Sequence, residues 1–177
     1  EEHPPSCDEA LAIWNELDPD GAVDTTDLRR AALLYEQSTI KQPDDLHAYA
    51  DAAVLFEELH DYERAAELWN GAVQIRPDLT FIPNHIKRLA SMAALQRDNT
   101  GGAGRAALLL DVARNFRAVG EPERAISYLR ESLAIDSTRE AAWVDLAETA
   151  AEAGMYAEAM RAADRALAIQ PDLEDAK

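Results

Sequence analysis

The side chains best suited to chemistry are few and scattered. Four histidines, His3, His47, His60 and His85, occur in 177 residues. They form no HExxH and no pair spaced four apart, so the two-histidine helix face of a zinc hydrolase is missing. The single cysteine, Cys7 in "HPPSC", excludes an internal disulfide and a CxxC zinc site. No nucleophile signature surrounds it. The stretch "DPDGAVDTTD", Asp18 to Asp27, gathers carboxylates as a calcium loop would. Its glycine stands at the fourth position, however, and no glutamate stands at the twelfth. A turn over Asp18 to Gly21 is expected instead, with Asp24, Thr25 or Thr26 capping a helix that begins at 27. The stretch "GGAGRA", Gly101 to Ala106, could cradle a phosphate. It lacks the lysine and Ser/Thr of a P-loop and no strand leads into it, so it reads as a flexible loop between helices. The chain is therefore expected to be non-catalytic, with no metal, no cofactor and no small-molecule substrate.

The elements that would position any site are helical. Alanine, leucine, glutamate and arginine fill segments punctuated by glycine and proline. No sustained alternation of β-branched and aromatic residues is found, so no strand is expected. Apolar spacing predicts helices over 8–17, 27–41, 45–58, 61–75, 83–97, 104–118, 122–135, 138–152 and 156–169. Only Gly71 falls inside a helical run. No apolar run is long enough to span a membrane.

A period runs through these helices. Ala31, Ala65, Ala125 and Ala159 are separated by 34, 60 and 34 residues. Pro43, Pro77, Ser137 and Pro171 repeat the same steps, and "KQPDD", "IRPDL" and "IQPDL" follow the same pattern. Within 46–79 the large and small residues are Tyr49, Ala52, Ala53, Phe56, Tyr62, Ala65, Trp69, Ala72 and Pro77. Within 140–173 they are Trp143, Leu146, Ala147, Ala150, Gly154, Tyr156, Ala159, Ala163, Ala166 and Pro171. Within 106–139 they are Leu109, Val112, Ala113, Phe116, Gly120, Ala125, Leu129, Ser132 and Ser137, with Pro122 at a usual aromatic position. A helix–turn–helix unit of this length and pattern resembles the tetratricopeptide repeat (TPR) family.

The resemblance implies an all-α, TPR-like α-solenoid of antiparallel helix hairpins with one inserted helix. It is expected as a single domain, 1–177: a divergent hairpin 8–45, a repeat 46–79, an inserted helix and glycine-rich loop 80–105, and repeats 106–139 and 140–173. Only "EDAK" follows the last repeat, so more chain or another molecule is expected to cover its apolar edge.

In this family the first helix of each hairpin lines a concave groove. The matching positions are His47, Ala50, Val54, Glu57 and Glu58, then Ala107, Leu110, Arg114, Arg117 and Ala118, then Ala141, Val144, Glu148, Ala151 and Glu152. The family's carboxylate clamp is absent, since Ala50, Val54, Asp111, Ala141 and Asp145 stand at its positions. No large aromatic stands at the groove positions.

Charge is uneven. The net charge is −17, from 17 basic and 34 acidic residues, which argues against nucleic acid as a partner. Residues 81–117 nevertheless hold 6 basic residues against 2 acidic ones. Lys87, Arg88, Arg97 and Arg105 in that stretch form a candidate basic docking band for an acidic protein surface. A solvated helix face is the plainer alternative. The opening at Glu1 with a polar, proline-bearing tail favours a secreted or periplasmic chain after signal removal, with a trimmed cytoplasmic one as the alternative. Fourteen arginines against three lysines suggest a GC-rich bacterial source. The resemblance as a whole implies a protein–protein interaction scaffold. The favoured form is an accessory subunit of a larger bacterial assembly, one at a membrane surface included. A transient peptide receptor using the groove is the alternative.

Overall fold

The computed structural model describes residues 25–170. The expected helix 8–17 with Trp14, the tail with His3 and Cys7, most of the acidic loop, and Pro171 with "EDAK" lie outside them. Eight helices occupy the described residues: α1 Thr25–Lys41, α2 Leu46–Glu58, α3 Tyr62–Ile75, α4 Ile82–Arg97, α5 Gly102–Ala118, α6 Pro122–Ile135, α7 Glu140–Glu152 and α8 Tyr156–Ile169. Among those residues there is no strand. The all-helical class is as expected, and the helix ends agree to within two residues. Packing groups the chain into two compact units, Glu1–Ala90 and Ser91–Lys177. The boundary falls inside α4, the helix that interrupts the repeat.

Two local expectations change. Thr25 and Thr26 lie inside α1, so neither caps it, and Asp24, the remaining candidate, lies outside the described residues. The glycine-rich stretch is also not a loop beyond its first residue, because Gly102 to Arg105 are already helical. The turn before them is closed by Asp98, which accepts hydrogen bonds from Thr100 N at 3.1 Å and Thr100 Oγ1 at 2.6 Å. These bonds hold its carboxyl below the ordinary value. Such an Asx turn lets the chain enter a helix directly.

The repeat is visible at the level of single hydrogen bonds. At the end of α2, α5 and α7 the chain turns through His60, Gly120 and Gly154, with φ of +58°, +82° and +74°. The residue after each donates back five positions: Asp61 to the Phe56 carbonyl, Glu121 to Phe116, and Met155 to Ala150, at 2.9, 3.0 and 2.8 Å. This is the Schellman closure of a helix end, which favours glycine at its left-handed residue. The cation over the ring recurs as well. Arg64 lies over Phe56 and Arg124 over Phe116, at 5.0 and 4.3 Å from the ring centroids.

Small residues set the helix spacing. Ala65 and Ala125, at equivalent positions, are fully buried, and so are Ala72, Ser132 and Ala166. Ser132 keeps its hydroxyl satisfied by donating to the Ala106 carbonyl at 2.7 Å. Its polar atom therefore does not cost the desolvation of an orphaned group. In the first unit α2 packs between α1 and α3. In the second α5 packs on α6, α6 on α7, and α7 on α8. Phe56 anchors the first core, and Phe116, Leu109 and Leu129 the second.

Gly71 is half-buried where α3 packs against α2. A Cβ there would run into the ring of Tyr49 on α2. Gly71→Ala is expected to lower unfolding stability by about 1–3 kcal/mol, the usual cost of overpacking. The same substitution should cost clearly less in a Tyr49→Leu background. Urea unfolding of the four proteins measures both effects.

Candidate functional site

In the first unit the expected groove residues do not act as a set. His47 is exposed, Ala50 is half-buried and Val54 is 48% exposed. Glu57 is engaged inward. Its Oε1 accepts from Trp69 Nε1 at 3.1 Å and its Oε2 from Arg88 Nη2 at 2.5 Å. Arg88 belongs to α4, so the interrupting helix is locked to the first repeat through the carboxylate of α2. Trp69, Phe81 and His85 pack around this pair with ring centroids 5.9–6.5 Å apart.

The basic docking band is corrected here. The Arg88 side chain is only 6% exposed and paired, so it is a structural cation. Arg105 reaches Asp98 at 3.8 Å and Glu131 at 3.5 Å. Only Lys87 and Arg97 are exposed. A burial cost drives this inversion, because a cation turned into packing must meet a carboxylate, and Glu57 supplies it.

In the second unit the expected groove residues do converge. Arg114 Nε donates to Asp145 at 2.6 Å. Arg117 Nη1 donates to Glu148 at 2.5 Å, and its Nε and Nη2 donate to Glu152 at 3.0 and 2.5 Å. These pairs join the first helices of two successive hairpins, α5 and α7. On the neighbouring row Arg130 of α6 makes a two-pronged contact with Glu158 of α8, at 2.9 and 2.6 Å. Val144 is half-buried on α7. Leu110 is 5% exposed, which corrects its expected place in the groove: it is core between packed helices.

Hydrogen bonds from Arg117 hold the Glu152 carboxyl below the ordinary glutamate value, and those from Arg130 do the same for Glu158. The same contacts raise Arg117 and Arg130 above the usual arginine range. The faces that could have met a ligand are thus neutralised within the unit. Among the described residues no three His, Cys, Asp or Glu side chains could hold a metal ion. No helix among them is long and apolar enough to cross a membrane.

The last described helix carries several exposed apolar side chains. On α8, Tyr156 and Met160 are each 70% exposed and Ile169 is 43% exposed. Shallow clefts flank it, one lined by Trp143, Arg161, Asp164 and Arg165. The sequence pointed to this edge through the repeat alone. The Glu57–Arg88 pair was missed, because the partners are 31 residues apart across the break in the period.

Antiparallel helix hairpins with a shared turn chemistry and engaged first-helix faces define a helical-repeat interaction protein. Two tetratricopeptide repeat models match the sequence, one over residues 20–79 and one over 116–177, together about two thirds of the chain. The chain belongs to the tetratricopeptide repeat family, whose members are typically non-catalytic protein–protein interaction scaffolds. No curated protein sequence matches it. Among solved structures it is similar to PilW, described as a widely conserved type IV pilus biogenesis factor, at 21% identity over 93% of this chain and 76% of that one, TM-score 0.44. It is similar to YrrB, described as a TPR protein with an unusual peptide-binding site, at 18% identity over 96% and 87%, TM-score 0.43. It is similar to MamA at 15% identity over 85% and 73%, TM-score 0.41. The family assignment rests on the two sequence matches.

Two outcomes separate structural charges from surface ones. Arg88→Glu should cost about 3–5 kcal/mol of stability, as breaking a buried pair does. Lys87→Glu, one residue away and exposed, should change stability by less than about 0.5 kcal/mol. Chemical denaturation reads both. The second outcome concerns pH. Because the folded-state values of Glu152 and Glu158 are depressed, their contribution is present above the unfolded glutamate value and is lost as pH falls through the folded one. Stability should therefore fall as acid is added below about pH 4.5. Arg117→Met and Arg130→Met together should flatten that decline, as thermal unfolding between pH 3 and pH 6 would show.

Proposed function

We propose that this protein is a non-catalytic accessory subunit that presents rigid helical surfaces to other proteins of a larger assembly. One observation carries the choice over a transient peptide receptor. The polar first-helix residues of the second unit are engaged with one another, through Arg114–Asp145, Arg117–Glu148 and Arg117–Glu152. Each exposed pair contributes only about 0.2–1 kcal/mol. A peptide on this face would nevertheless have to replace several of them with contacts of its own, because Arg114 and Arg117 already share their donors with Asp145, Glu148 and Glu152. The surface available for docking is instead the uncovered face of α8. Its partly apolar, partly charged mix matches the kind of patch that marks contact surfaces on soluble proteins. Small molecules and nucleic acid have no place in this reading. The first finds shallow, open clefts among the described residues, and the second meets a strongly acidic chain.

Purification from the native source, followed by mass spectrometry of what remains bound through high salt, tests the reading. A fixed, stoichiometric set of proteins is the expected result, lost when Met160→Glu is introduced. A chain that purifies alone at high salt, with partners held only at low salt, would overturn it in favour of a receptor.

A further inference from the structure

The arginine–carboxylate junction of the second unit has an unfinished counterpart in the first. Asp145, Glu148 and Glu152 lie on one face of α7, at steps of three and four, and receive Arg114 and Arg117 of α5. One 60-residue and one 34-residue step earlier stand Asp51, Val54 and Glu58 of α2. The two outer carboxylates of the junction are thus kept on α2, and an apolar side chain replaces the middle one.

No cation answers these acids. Among the described residues neither Asp51 nor Glu58 is held in an ion pair or a side-chain hydrogen bond. Glu58 is exposed, Val54 is 48% exposed and Asp51 is half-buried. Burial pushes the Asp51 carboxyl above the ordinary aspartate value, against the pull of His47 one turn earlier. Its charge is therefore partly desolvated without the compensation that Arg114 gives Asp145. In the second unit the cations come from the first helix of the preceding hairpin. The stretch preceding α2 cannot supply them in the same way, because residues 1–28 hold nine acidic residues and no lysine or arginine. Like charges across such a contact repel.

We infer that the α2 face of Asp51, Val54 and Glu58 is a docking surface for a helix of another protein that carries two cations three residues apart and an apolar side chain beside them. The α5–α7 junction supplies the register. Arg114 meets Asp145 and Arg117 meets Glu152, so the two helices run in the same direction. The incoming helix accordingly lies parallel to α2, with its first cation on Asp51 and its second on Glu58, and Val54 takes the apolar contact. Exposed ion pairs contribute little each, so the contact is reversible, and its charges act mainly in selecting and orienting the partner. The face belongs to the first unit and α8 to the second, so its failure leaves the reading of α8 standing.

The test uses the whole chain and a synthetic, alanine-rich helical peptide with two arginines three residues apart and a leucine on the same face. A control peptide of identical composition has its arginines two residues apart, which sends them to opposite faces. Residue-resolved NMR at about 0.15 M salt, near physiological screening, follows the amide shifts. The first peptide should shift the amides of residues 47–58 and bind at least about fivefold more tightly than the control. Asp51→Asn with Glu58→Gln should weaken it about tenfold. Asp51→Arg with Glu58→Arg should lose it and gain a peptide with glutamates in place of the arginines, which a folding defect could not imitate. No shift at millimolar peptide, equal binding of the control, shifts that avoid α2, or unchanged affinity in the neutralised variant would each overturn the proposal. Shifts of the α2 amides with protein concentration alone would make a second copy the occupant. Contacts from residues 1–24 to this face in the free chain would make the occupant the chain's own N-terminal segment. Either result overturns the assignment to another protein.

Discussion

Two helices approach to about 8–10 Å only where the side chains between them are small. In this chain those places are the alanines at 65, 72, 125 and 166 and the serine at 132, all fully buried. Everything else follows from that spacing. Once the backbones are close, Phe56 and Phe116 fill the remaining volume, and the arginines of the following helix lie across their rings. The turns must then bring the chain back sharply, which the left-handed residues at 60, 120 and 154 achieve. Each hairpin still leaves one apolar side that its own two helices cannot cover, so stability is shared along the stack.

The charged residues take their positions from this arrangement. Arginines on one first helix fall opposite carboxylates on the next, 31 to 35 residues later, because the repeat returns the same face after about one unit. The result is a face whose charges serve cohesion between hairpins. The added helix α4 breaks the 34-residue period between the stretches 46–79 and 106–139. It is held instead by Arg88 on Glu57, a pair with no counterpart in the repeat. Its cost of burial is met by charge pairing where the other junctions rely on alanine.

How much of this was legible depends on the range of the interaction. The hairpins could be read because their determinants recur in the same order: an alanine that fits, a left-handed residue that turns (His60, Gly120, Gly154), and a proline or serine that stops. The pairs Arg117–Glu148 and Arg117–Glu152 were half legible, since the residues were placed on the expected face but their mutual engagement was not foreseen. Leu110 and Arg88 were misjudged for the same reason. A helical-face pattern says which side of its own helix a residue occupies, and not which neighbour covers that side. The glycine stretch after Thr100 misled because glycine content suggested mobility, while Asp98 already closed the turn.

The central claim is that a helix in this chain is held by the hairpin beside it more than by its own propensity. The helices α6 and α8 form a controlled pair for that claim. Both have 14 residues and occupy the same repeat position, but α6 is covered on the side where α8 is open. Site-resolved amide hydrogen exchange on dilute, monomeric protein compares them directly. The account predicts that amides of α8 exchange markedly faster than those of α6. Equal protection of the two helices under those conditions would contradict it.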